Sequence, residues 1–150
     1  MRCIHSMKSL FQLLLLLIAI GACSDNTPHI LVTIADAREH PARITDLDPS
    51  GDSVGDILTF DQPLLDEQMN PIGNNSGFCI RTQVAHSFQC QWTLTLANGS
   101  IQVAGREFDQ GISRLAIVDG TGEYSGIQGE MVSTNNNDGT FTQVLHYWVK

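Results

Sequence analysis

At 150 residues the chain has room for one domain, and a formal net charge of −8 with a pI near 4.8 argues against nucleic acid or an anionic membrane surface as its main partner. Only 16% of the residues are charged while Gly, Thr, Ser, Asn and Gln are plentiful, which suits a β-rich extracytoplasmic protein and not a helical cytosolic one.

The chain begins with a leader. Arg2 and Lys8 precede an apolar run from Leu10 to Ala22 that ends in Ile20-Gly21-Ala22-Cys23. A positive start, an apolar middle and small residues before a cut describe a secretory signal peptide over residues 1–22, with Met1 or Met7 as initiator. The run is too short for an ordinary spanning helix. Its ending resembles a bacterial lipobox, in which Cys23 is lipidated and becomes the new N-terminus; the alternative is a plain signal peptide, cut near Ala22 with Cys23 a bystander, and a secreted product. Ser24 after the cysteine implies, by resemblance to enterobacterial sorting, an outer-membrane lipoprotein facing the periplasm. Residues 23–29 then form a tether, and residues 30–150 the folded domain.

Within the domain, Ile30–Ile34 is a β-branched run and a first strand. Residues 37–52 read as a loop, in which Asp46 to Asp52 resembles the opening of a calcium loop; the twelfth position is Ile57, where a bidentate Glu is needed, so a solvated turn is preferred. Asp56–Asp61 is a second strand, stopped by Pro63, and Gly77–Gln83 a third. Ser87–Leu96 has the cleanest alternation, with Phe88, Cys90, Trp92, Leu94 and Leu96 on one face. An Asn98-Gly99 turn leads to a fifth strand carrying Ile101 and Val103 and ending near Gly105. Arg114–Val118, Ile127–Thr134 and Thr140–Val149 complete eight strands. Between the sixth and seventh, Gly120, Gly122, Gly126 and Gly129 make a structural corner, since neither a phosphate loop nor a dinucleotide fingerprint fits their spacing. Eight strands at hairpin spacing indicate an up-and-down barrel or a sandwich. The last strand is apolar on both faces, with Val144 and Trp148 opposite Phe141, Leu145 and Tyr147, so its outer face invites a second subunit unless Trp148 packs within the monomer.

Cys79 and Cys90 remain in a compartment that permits disulfides, on strand-like segments joined by a short connection. A bridge between them is the first reading and a reactive thiol at Cys79 the alternative. The histidines have no metal-ligand spacing, and no Gly-x-Ser-x-Gly nucleophile setting occurs, so neither a metal nor a cofactor is expected.

From about Val54 onward the chain resembles the allene oxide cyclase barrel and dirigent superfamily. The residues that carry the likeness are Gly55-Asp56-Ile57-Leu58-Thr59-Phe60, Gly73, Gly77-Phe78-Cys79, Gly105, and Ser113 to Gly122 with Gly126 and Gly129. The resemblance implies an all-β, eight-stranded antiparallel calycin-like barrel, often trimeric, around an apolar cavity. Its members cyclise a fatty-acid epoxide or steer radical coupling by confining a reactive guest. The polar cavity residues of the cyclases fall on Thr33, Ala35, Gln62 and Gln110, and only their cysteine is kept, as Cys79. Cavity acids that dirigent-type steering needs are sought at Asp36, Asp56, Asp61 and Glu130. The function so implied is an envelope lipoprotein that binds a small hydrophobic molecule and guides its cyclisation or coupling, an isomerase or cyclase if it is an enzyme. The alternative is a non-catalytic interaction module of the envelope.

Overall fold

A computed structural model describes residues 27–149. The expected signal peptide, the expected lipidation site Cys23 and the first part of the expected tether lie outside the described residues. The described residues form nine strands: β1 (His29–Asp36), β2 (Arg43–Thr45), β3 (Ile57–Leu65), β4 (Pro71–Gln83), β5 (Ser87–Leu96), β6 (Gly99–Phe108), β7 (Ile112–Gly120), β8 (Ile127–Asn135) and β9 (Thr140–Val149), with one 3-10 turn among them at Gly122–Tyr124. From β3 to β9 each strand pairs antiparallel with the next, β9 pairs with β1, and β1 returns to β3 through Ile34–Leu65 and Ala35–Leu64. Eight strands therefore close an antiparallel barrel, which removes the free sheet edges. The short β2 lies outside this ring and pairs only with β3, over Thr59–Ile57.

Several expected boundaries move. The loop over residues 37–52 contains β2, whose three residues are all exposed and carry no inward apolar side to announce a strand. Pro63 does not stop β3. Its backbone faces β4 on one side only, because the β2 pairing ends at Thr59 and the β1 pairing begins at Leu64. A proline with no N–H is tolerated where one edge needs no donor. With β3 running on to Leu65, β4 begins at Pro71, six residues before Gly77.

The alternation seen in β5 sets the interior. Leu64, Leu94, Ile101, Leu115, Ile127, Met131 and Leu145 are each at most 2% exposed. They fill the half of the barrel where the chain enters at β1 and leaves at β9, and each buried Leu or Ile contributes roughly 1.5–3 kcal/mol. Tyr124 and Tyr147 pack edge to face at 6.3 Å against this core.

The glycine corner caps the filled end. Gly122 has φ 61°, in the left-handed region, and a Cβ there would collide with the carbonyl of Asn98. The corner is bound to the β5–β6 turn: Glu123 N–H donates to Asn98 O at 3.0 Å, and Asn98 Nδ2 donates to Glu123 Oε2 at 2.9 Å. The loop residues of that turn are Ala97 and Asn98, one position before the expected pair, and Gly99 pairs with Leu96. Gly99 is required for a different reason, since a side chain there would meet the carbonyl of Thr121.

Candidate functional site

The other half of the barrel is not filled. A cavity of about 630 Å³ runs inward from the end formed by the β4–β5, β6–β7 and β8–β9 turns, and the strap before and through β2 crosses its mouth with Ala37, Pro41, Ala42 and Ile44. Its walls are apolar and rich in rings. Leu58, Phe60, Phe88, Trp92, Phe108 and Phe141 line it, and Phe60 meets Trp92 edge to face at 5.8 Å.

A band of polar side chains interrupts these walls. Gln62, Asn75, Ser133 and Gln143 all line the cavity and are at most 4% exposed. Gln143 Oε1 accepts a hydrogen bond from Thr33 Oγ1 at 3.0 Å, and Gln62 Nε2 donates to the carbonyl of His40 in the strap at 3.3 Å. Glu107 is the carboxyl of this band. Ser133 Oγ donates to its Oε1 at 2.9 Å. Burial pushes its pKa up from 4.5 to about 7, a rise that the hydroxyls of Ser133 and Ser113 oppose.

Among the described residues, four buried side-chain polar atoms lack a hydrogen-bond partner, and every one belongs to a residue lining this cavity: Asn75 Oδ1, Arg81 Nε, Trp92 Nε1 and Glu107 Oε2. Arg81 is satisfied electrostatically, since its Nε lies 2.6 Å from Asp52 Oδ1 in an ion pair and its Nη1 donates to both oxygens of Asp109 at 2.6 and 2.9 Å. Its guanidinium also rests on the Phe88 ring, 3.6 Å from the centroid. The other three atoms are free inside an otherwise well-paired protein, where such groups are rare and each costs about 1–3 kcal/mol.

The residues singled out from the sequence are dispersed. Gln62 and Cys79 line the lumen. Cys79 is bonded to Cys90, its directly opposed partner on β5, so the bridge forms and Cys79 carries no free thiol. Asp56 is buried but serves the loop before β3, accepting from Leu47 N–H at 2.9 Å, Ser53 N–H at 2.8 Å and Ser53 Oγ at 3.0 Å. Those bonds hold its carboxyl below the usual range. Asp46, in the loop with the calcium-like spacing, accepts from Gly51 N–H at 3.1 Å. Asp61 is exposed on β3, Glu130 lies outside on β8 paired with Arg114 at 2.9 Å, and Asp36 pairs with Arg38 at 2.7 Å. Glu107, Asn75, Ser133 and Gln143 are absent from the sequence-derived candidates. The signal was available for Glu107: extending the inward series Ile101, Val103, Gly105 by one step reaches it, but the expected strand stopped at Gly105.

Residues 28–150 match the family model for dirigent-like proteins. Solved structures with a similar fold include a pyocyanin demethylase, 22% identical, with 80% of this chain and 100% of that one covered at a TM-score of 0.71. The pterocarpan synthase dirigent protein PsPTS1 is 16% identical over 81% of this chain and 94% of that one, at a TM-score of 0.61. The Diels–Alderase AbmU from Streptomyces koyangensis is 19% identical over 81% of this chain and 64% of that one, at a TM-score of 0.64. No curated protein matches the chain in sequence. At these identities the structural likeness is one of fold, an antiparallel β-barrel. The family match spans the whole barrel, and the chain belongs to the dirigent-like proteins.

Proposed function

We propose that the mature chain is a lipoprotein of the bacterial envelope, anchored through Cys23 at the periplasmic face of the outer membrane. Its lumen holds a small hydrophobic molecule and, by confining it, guides a cyclisation or coupling. The observation that supports this most is the apolar cavity of about 630 Å³ in which Asn75, Trp92 and Glu107 keep free polar atoms. A pocket of this size, mostly apolar with a few oriented polar groups, suits one small organic guest. Proteins of like fold are named for ring-forming chemistry, a Diels–Alderase and a cyclase catalysing [4 + 2] cycloaddition among them. Glu107 is the group placed to move a proton on the guest, since a carboxyl with a pKa of about 7 can both give and take one near neutrality.

The test is organic extraction and mass spectrometry of protein purified from its native envelope, followed by re-addition of what is found. A hydrophobe released in proportion to protein, and rebinding at micromolar concentration, is the expected result. Its absence, with no binding of added hydrophobes, would count against a lumen site. Labelling with radioactive palmitate that is lost in Cys23→Ser tests the anchor separately.

A second reading, a non-catalytic interaction module, draws on the barrel's outside. Ile30 is 63% exposed and Trp148 40% exposed on the outer faces of the paired strands β1 and β9. The same surface supports a homo-oligomer, a trimer by family resemblance.

A further inference from the structure

The three free atoms of the lumen are not an even mixture of donors and acceptors. Asn75 Oδ1 is an acceptor, Glu107 Oε2 is one in the ionised carboxyl, and only Trp92 Nε1 is a fixed donor. The surroundings bias the site in the same direction. Rings line the walls, and aromatic faces attract cations, as the Phe88 face already holds the Arg81 guanidinium. At the mouth, the single Arg81 is shared by two carboxylates, Asp52 and Asp109, leaving a local excess of one negative charge before Glu107 is counted. The chain as a whole carries a formal −8, so the field around the opening draws cations in.

We infer that the guest is a lipophilic organic cation, an aromatic or alkylated ammonium-type ion, whose counter-charge in the lumen is the Glu107 carboxylate. This rests on the reading of the lumen as a binding site, and it names the class of molecule bound there. A cation fitted to this cavity meets an acceptor that has no other partner, and the ion pair forms in a largely dry site where its attraction is weakly screened. Trp92 contributes its ring, and its N–H meets an oxygen on the guest or a water.

The charged and titratable groups around Glu107 are few. On its own chain segment there is Asp109, and on β4 there is Arg81, which holds Asp109. Its direct partners are uncharged, Ser133 on β8 and Ser113 on β7, and the rest of the buried polar band is uncharged too: Asn75 on β4, Gln62 on β3, and Gln143 on β9 with Thr33 on β1. His86 stacks edge-on against Phe108, and His40 meets Gln62 through its backbone carbonyl. Neither histidine ring lies in the lining. Binding of a permanent cation therefore follows the ionisation of Glu107.

The experiment uses two probes of equal shape, the cation 1-methylquinolinium and the uncharged hydrocarbon 1-methylnaphthalene, titrated calorimetrically into the mature chain at pH 8 and pH 6. The cation is expected to bind at least about tenfold tighter than the hydrocarbon at pH 8. With a carboxyl pKa of about 7, its affinity should fall about tenfold at pH 6 while that of the hydrocarbon stays level. Glu107→Gln should remove the preference and its pH dependence but keep hydrocarbon binding; Glu67→Gln, an exposed acid at the far end, should change neither. Hydrocarbon binding equal to or tighter than cation binding at both pH values overturns the inference while leaving the lumen site standing. If neither probe binds, both fall. The pH series on the unaltered chain decides the matter even if Glu107→Gln is poorly folded.

Discussion

Glu107 is held in the lumen at the expense of the folded state. A carboxyl whose pKa rises from 4.5 unfolded to about 7 folded keeps a proton in the native chain that the unfolded chain gives up. Folding is then favoured most below the unfolded value, and stability falls as pH rises through the folded one, by at most roughly 3 kcal/mol. Replacing the acid by its neutral isostere removes that loss. Glu107→Gln should melt several degrees above the unaltered chain at pH 8 and level with it near pH 4.5, as read by calorimetry. A variant that melts lower at pH 8 would mean that the carboxylate is compensated in a way the structure does not show. A residue of this kind is hard to see in a sequence. An isolated Glu near a strand end is usually solvated, and only the alternation carried past Gly105 turns it inward. Asn75 was hidden for a related reason, because the strand that bears it starts at Pro71, among Pro, Gly and Asn residues that normally signal a turn.

At the scale of elements, the β4–β5 hairpin forms one wall of the lumen and carries the disulfide. Cys79 and Cys90 are directly opposed and close a segment with a sequence separation of 11, for which the loop-closure estimate is about 3 kcal/mol. The hairpin is also held by an uninterrupted register from Gly73–Leu96 to Arg81–Phe88. The double variant Cys79→Ala, Cys90→Ala should therefore lose about 2–3 kcal/mol in denaturant titration and still show the circular dichroism of the barrel. Thiol labelling of the unaltered, unreduced chain should leave both residues unmodified; rapid labelling of Cys79 would contradict the bridge. This much was legible in the sequence, because the two cysteines lie on strand-like segments joined by a short connection, and the alternation in β5 turns Cys90 inward. The strands β3 and β4 were legible only in part. Pro63 looks like a stop in a sequence, and its tolerance depends on a gap between two neighbours, β1 and β2, that only the closed sheet defines.

For the whole molecule, the strand count, the antiparallel order and the filled end follow from patterns that a sequence displays, whereas the open half does not. An empty volume has no residue signature. It arises because Gln62, Asn75, Ser133 and Gln143 take inward positions on β3, β4, β8 and β9 where Leu or Ile would fill the space. The outer surface has its own consequence. Ile30 and Trp148 are exposed and Val32 and Val144 half-buried on the outer face of paired strands, an apolar strip interrupted by His146 and of the sort that oligomers cover. Sedimentation should find the chain of residues 23–150 associated, and Val144→Lys with Trp148→Lys should yield a monomer that keeps its fold. A monomer from the start would leave that strip without a role in assembly. That the barrel is a container can be measured with an uncharged fluorescent probe, N-phenyl-1-naphthylamine. Titrated into the unaltered chain and into a variant with the lumen filled by Asn75→Trp and Ser133→Phe, it should bind at one saturable site per chain with micromolar affinity in the first and lose that site in a folded second. Binding that is absent from the unaltered chain, or that survives filling of the lumen unchanged, would contradict it.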